Sequence, residues 1–154
     1  MSSRVFVHPG LLHVPYIDRI AVGIALFHDT GKYPDFLGHF GQFENNPTAM
    51  GSLLHKIHLA LYNQGVNWKR WKHRNGHNRT SDNFVIYVRH FFCDDCYLIL
   101  DIVSPDAHSK IDSLLPKLIE QAENFHKLKK NDFHRFTEYD SSNYQIADTI
   151  TLTD

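Results

Sequence analysis

A change of hydrophobic period along the chain restricts its fold more than any other feature. Apolar residues at Ile17, Ile20, Ala21, Ile24 and Ala25 recur at helical spacing after Pro15 and stop near Gly31. From Leu53 to Tyr62 the period falls to two: Leu53, His55, Ile57, Leu59 and Leu61 alternate with Leu54, Lys56, His58, Ala60 and Tyr62. A strand of that pattern puts Lys56 and His58 on one face and Ile57 and Leu59 on the other. Two further β-rich runs, Phe84 to Phe92 and Tyr97 to Val103, flank Cys93-Asp94-Asp95-Cys96, which predicts a hairpin turning through that segment. After Pro105 the helical spacing returns at Ile111, Leu114, Leu115, Leu118, Ile119, Ala122 and Phe125, with Pro116 expected to kink the helix or start a new one. Arg4-Val5-Phe6-Val7 is β-prone, and Tyr33 to Pro47, with Pro34, Gly38, Gly41, Asn45 and Asn46, reads as loop. The order β, α, three strands, α predicts an α+β fold, an antiparallel sheet with helices packed on one face.

A chain of 154 residues with 42% hydrophobic content suits one domain with its own core. Past Asn131 no period is sustained, and Asp132, Glu138, Asp140, Asp148 and Asp154 face a single Arg135. The expectation is a domain over 1–130 and a loosely packed acidic extension over 131–154. Two cysteines are too few for a disulfide framework and read as free thiols in a reducing compartment. No apolar run approaches a membrane span, and Met1-Ser2-Ser3-Arg4 lacks a signal-peptide core, so a soluble, cytoplasmic chain without a membrane partner is expected. The net charge of -1 conceals a basic stretch. Between Trp68 and Arg79 stand Lys69, Arg70, Lys72, Arg74 and Arg79 with His73, His77, Trp71 and no acid. Cations interleaved with aromatic rings supply the phosphate contacts and base stacking that RNA binding requires.

Three constellations bear on chemistry. His28-Asp29 before Gly31-Lys32 is similar to the metal-binding core of HD-domain phosphohydrolases, but it also suits a helix C-terminus with Gly31 as a left-handed stop. Cys93 and Cys96 supply half a zinc site with no second pair, and His55 and His58 point to opposite faces of a strand, so neither a metal nor another cofactor is expected. The third set is Lys56, His58, Arg79, Asp82 and His108. Cleavage of RNA by its own 2′-hydroxyl needs a base, an acid and cations around the charged phosphorane, which histidine, lysine and arginine supply.

Six segments in order carry a resemblance: Arg4-Val5-Phe6, Tyr33-Pro34-Asp35-Phe36-Leu37-Gly38, His55-Lys56-Ile57-His58-Leu59-Ala60, Arg79-Thr80-Ser81-Asp82 with Val85-Ile86-Tyr87, Pro105-Asp106-Ala107-His108, and Ala122-Glu123-Asn124-Phe125. Together they resemble the YafO family of type II toxins over roughly residues 4 to 128. That resemblance implies a RelE-like fold and a ribosome-dependent endoribonuclease that cuts mRNA and is silenced by a cognate antitoxin protein. It implies that His58 and His108 exchange protons with the RNA, that Lys56 and Arg79 stabilise the phosphate, and that Asp82 orients a neighbour. Phe84 stands where RelE-like toxins often carry a basic residue, which leaves Arg79 or Arg89 for the phosphate. His58 is expected to face solvent. A non-catalytic RNA- or ribosome-binding module and the HD-type metal hydrolase are the rival readings.

Overall fold

The computed structural model describes residues 2–60, 71 and 79–148. Six strands, β1 (Arg4–Val7), β2 (Leu37–Gln42), β3 (Leu54–Leu59), β4 (Phe84–His90), β5 (Cys93–Val103) and β6 (Thr137–Tyr139), form one sheet in the order β2-β3-β4-β5-β1-β6. Neighbours run antiparallel except β1 and β5, which are parallel. Four α-helices whose full ranges fall within the described residues accompany them: α1 (Ile17–Thr30), α2 (Pro47–Gly51), α3 (Ala107–His126) and α4 (Tyr144–Asp148). Gly31 closes α1 as expected, at φ 75°, with its amide donating to the Phe27 carbonyl at 2.8 Å.

The α+β class and the mainly antiparallel sheet agree with the sequence reading, but helices cover both faces rather than one. On one face α1 packs Ile20, Ala21 and Ile24 against Val5, Val7, Ile57, Leu59, Val85 and Ile99. On the other, α3 lays Ile111, Leu115, Leu118, Ala122 and Phe125 on Phe6, Leu54, Phe84, Ile86 and Leu98. The reason is visible in β4, where Phe84-Val85-Ile86-Tyr87-Val88 is apolar at both parities and fully buried. A strand without a polar side needs cover above and below, and each such side chain withdrawn from water contributes about 1.5–3 kcal/mol.

Other segments also differ from expectation. Part of the presumed loop at 33–47 is strand β2, followed by α2, whose Asn46 cap accepts the Ala49 amide at 3.0 Å. Gly38 lets β2 approach the chain at Arg79: a Cβ there would overlap the Arg79 carbonyl oxygen. The hairpin turns through Phe91 and Phe92, and β5 already starts at Cys93. Cys93 and Cys96 are not free thiols but a disulfide, with Cα atoms 5.4 Å apart. Helix α3 runs through Pro116 as one element. The segment past 130 is packed as far as 148: Phe133 is buried, β6 pairs with β1, and Ala147 of α4 joins the α1 side of the core. Strand β6 covers an edge of β1 whose backbone groups would otherwise be open to pairing. Lys69, Arg70, Lys72 and Arg74 lie outside the described residues. Among the described residues no helix is long and apolar enough to cross a membrane.

Candidate active site

Strand alternation puts Lys56 and His58 on the α3 face of β3, as the sequence predicts, but His58 does not face solvent. It is 5% exposed, with its ring edge-on to Phe84 at 4.8 Å between centroids. Its Nδ1 lies 2.8 Å from the Ser81 amide nitrogen and 2.7 Å from the Ser81 carbonyl oxygen. A neutral Nδ1 accepts from the amide, and a protonated Nδ1 donates to the carbonyl, so the ring keeps its orientation when its protonation changes. Burial drives its pKa down to about 4, with the Ser81 backbone opposing and His108, His39 and Lys56 adding to the fall.

His108 stands 5.8 Å from His58, centroid to centroid, at the start of α3. It is held differently: Asp82 Oδ1 accepts from its backbone amide at 2.8 Å and from its Nδ1 at 2.7 Å. Its side chain is 63% exposed, in contrast to the buried His58 ring. Burial would raise the Asp82 carboxyl, but the backbone and ring hydrogen bonds of His108 outweigh that and hold it below the ordinary carboxylate range. Lys56 rests its ammonium 5.0 Å from the Phe84 ring centroid and 5.3 Å from that of Phe43. Burial lowers its pKa, partly offset by Glu44 and Asp112.

Lys56 and His58 open on a cleft of about 580 Å³ whose lining also includes His39, Gln42, Glu44 and Asp112, and His108 adjoins it through its contact with the His58 ring. A second hollow, of about 540 Å³, has Leu98, Leu100 and Phe125 among its walls and His8 as its single histidine. The first is the one that gathers Lys56 with two histidines, His39 and His58. His39 was missed in the sequence because β2 reads as loop, yet it lies 6.0 Å from the His58 ring. The backbone of Ser81 was equally invisible, since no side-chain pattern reports a main-chain clamp.

The structure brings Lys56, His58, Asp82 and His108 together and takes Arg79 and Arg89 away. Arg79 is buried, and its Nη1 donates to the Pro34 and Leu37 carbonyls, both at 3.0 Å, which ties β2 down. Arg89 pairs with Tyr97 across β4 and β5 and so points to the α1 face. The His28-Asp29 pair is also committed elsewhere: His28 Nε2 is hydrogen-bonded with the Tyr87 hydroxyl at 2.7 Å, and Asp29 Oδ1 accepts from the Ser3 amide and hydroxyl at 2.8 and 2.7 Å. Among the described residues the one group of three metal-ligand types is Cys93, Asp95 and Cys96, whose sulfurs are paired with each other.

A family model described as "Toxin YafO, type II toxin-antitoxin system" matches residues 25–127. That span runs from within α1 to the end of α3 and holds every residue of the cleft named above. No curated protein and no solved structure matches the chain.

Proposed function

The chain belongs to the YafO toxin family of type II toxin–antitoxin systems, and from that premise we propose that it is a ribosome-dependent endoribonuclease of the cytoplasm that cleaves translated mRNA. The family implies an antitoxin partner. The observation that supports the nuclease reading is a pair of imidazoles 5.8 Å apart, His58 clamped by Ser81 and lining a cleft beside Lys56, and His108 held by Asp82.

In this reading an imidazole takes the proton of the 2′-hydroxyl as O2′ attacks the adjacent phosphorus. The P–O5′ bond breaks, and the second imidazole gives its proton to the departing O5′. The products are a 2′,3′-cyclic phosphate and a 5′-hydroxyl end. Neutral His58 suits the first role and His108, oriented by Asp82, the second. Lys56 offsets the charge gathered on the phosphorane. The arrangement supplies acid, base and cation from side chains alone, so activity is expected to be metal-independent. The basic stretch with Lys69, Arg70, Lys72 and Arg74 supplies sequence-independent RNA contacts.

The test is induced expression in a bacterial host, with primer extension on a translated mRNA. Growth arrest with discrete new 5′-hydroxyl ends supports the proposal. Arrest without new ends, and with His58→Ala equally toxic, would replace it with a non-catalytic ribosome binder. A protein stripped with EDTA that regains activity only on adding zinc or manganese would overturn the metal-independent mechanism.

A further inference from the structure

The segment Cys93-Asp94-Asp95-Cys96 opens β5 at the end of β4 remote from the cleft. His58 pairs with Phe84, whereas Cys93 pairs with His90, roughly 20 Å further along the same strand. Register fixes both cysteines, Cys93 opposite His90 and Cys96 beside Arg4 of β1, with Cα atoms 5.4 Å apart. Cys96 is fully buried and Cys93 is 6% exposed. Asp95 aims a carboxylate oxygen at the pair: Oδ1 lies 3.1 Å from the Cys93 sulfur and 3.7 Å from the Cys96 sulfur. A disulfide sulfur carries no proton, so in the bonded form neither sulfur has a hydrogen to give this anionic oxygen. Arg4, beside Cys96, gives its guanidinium to Glu138 at 2.8 and 3.1 Å. The ligand atoms of Cys93, Asp95 and Cys96 all fall within 4.8 Å of one another.

We infer that Cys93, Asp95 and Cys96 form a redox-gated site for a thiophilic divalent cation of the zinc class, which the reduced pair binds and the disulfide cannot. Neither the nuclease reading nor a partner protein enters into it. A tetrahedral zinc with Zn–S of about 2.3 Å and Zn–O of about 2.0 Å sets its sulfur and oxygen ligands roughly 3.5 Å apart. The two distances from Asp95 Oδ1 bracket that value. Two sulfurs on such an ion stand about 3.8 Å apart, a separation that rotation of the freed side chains supplies without moving either strand. Two thiolates with one carboxylate favour zinc over calcium or magnesium, which take oxygen ligands. The fourth position falls to water. Opening the site requires a dithiol reductant. One of its thiolates attacks Sγ of Cys93, the less buried residue, and the Cys93–Cys96 bond breaks with its electron pair leaving on Cys96. The second thiolate of the reductant then displaces Cys93 and closes the reductant's own disulfide. The cation takes the place of the two protons that the freed thiols would otherwise hold. An oxidant of the disulfide class reverses these steps and expels the cation.

The experiment reduces the full chain with a dithiol, removes the reductant under exclusion of air and titrates with cobalt(II), whose thiolate charge-transfer band reports sulfur ligation, then with zinc. The expected result is that the reduced chain takes up a single cobalt(II) with that band, that zinc displaces it, and that the oxidised chain shows no band. Loss of even an outer partner costs about 10–100-fold in metal affinity, so Asp95→Ala should raise the cobalt Kd roughly 10-fold or more. The double variant Cys93→Ser and Cys96→Ser should lose the band, and Asp95→Ala keeps the comparison open if that variant does not fold. The inference is overturned if the reduced chain shows no band, or if Asp95→Ala binds cobalt as tightly as the parent. Equal uptake by the serine variant, without the band, would place the cation on histidines and overturn it too. Failure of the folded chain to be reduced, or its unfolding on reduction, would make the disulfide a purely structural bond and have the same effect.

Discussion

His55 and His58 lie three residues apart on β3 and are buried to nearly the same degree, 6% and 5% exposed, yet they serve opposite faces of the sheet. Burial brings both to about 4. Their surroundings diverge. His55 is wedged between Phe40 and Tyr87, its Nδ1 3.4 Å from Gln42 Nε2, in a cluster under α1. His58 is clamped by a backbone that accepts either protonation state, and it borders an open cleft with two other imidazoles in range. A depressed pKa therefore does not by itself mark a site. Access, a clamp and neighbouring imidazoles distinguish the histidine proposed for chemistry from the packed one.

The largest effect that would break this comparison is on cleavage. His58→Ala and His108→Ala should each lower it by roughly 10²-fold or more, whereas His134→Ala, an exposed ring outside the cleft, should not. His108→Ala should leave thermal stability nearly unchanged, but His58→Ala also deprives Ser81 of its partner and should cost about 1–3 kcal/mol. Full toxicity in the double variant of His58 and His108 would end the proposed chemistry.

Acid stability is the next measurement. Folded values near 4 for His28, His55 and His58 lie below the roughly 6.5 of an unfolded chain. Between those values the unfolded chain binds more protons, so stability is full above about pH 6.5, falls as pH drops toward 4 and levels off below. Two of the three rings belong to the α1 face. Replacing His28 and His55 together should flatten this decline more than replacing His58, and melting curves from pH 7 to 4 that show the reverse would mean the faces are protected the other way round.

Neutralising Lys69, Arg70, Lys72 and Arg74 with Gln should weaken ribosome association by about 10-fold and flatten its salt dependence, since fewer counterions are released. An unaltered salt slope would show that the cleft face binds RNA without this stretch. The smallest effect sharpens the other side. Tyr87→Phe strands His28 Nε2 and should cost about 1–2 kcal/mol with no change in cleavage, so a cleavage defect there would show that the two faces are coupled.

Much of this was legible in the sequence, and the misses have physical causes. The α1 stripe with its Gly31 stop, the shared face of Lys56 and His58, the hairpin and α3 all follow from periodicity. Strand β2 did not, because Gly38 and Gly41 look like turn residues, although Gly38 is small to admit the Arg79 carbonyl. With β2 went His39. Arg79 carries the residue type of a phosphate ligand, and only the fold shows that the Pro34 and Leu37 carbonyls already occupy it. The doubly apolar β4 was in plain view and should have predicted cover on both faces. Strand β6, three residues long, is too short for any period to register.

The seat of β1 between β5 and β6 also governs how the molecule assembles. Arg4–Val7 is made first, but its parallel neighbour begins at Cys93 and its antiparallel one at Thr137. Closing so wide a loop must precede any reward from pairing, and such contacts slow folding. The hairpin of β4 and β5 is local and forms without waiting for either end of the chain. A nascent chain should thus carry an unpaired, apolar first strand until the hairpin has emerged, and amide exchange in Val5–Val7 should become protected only after that of Val85–Val88.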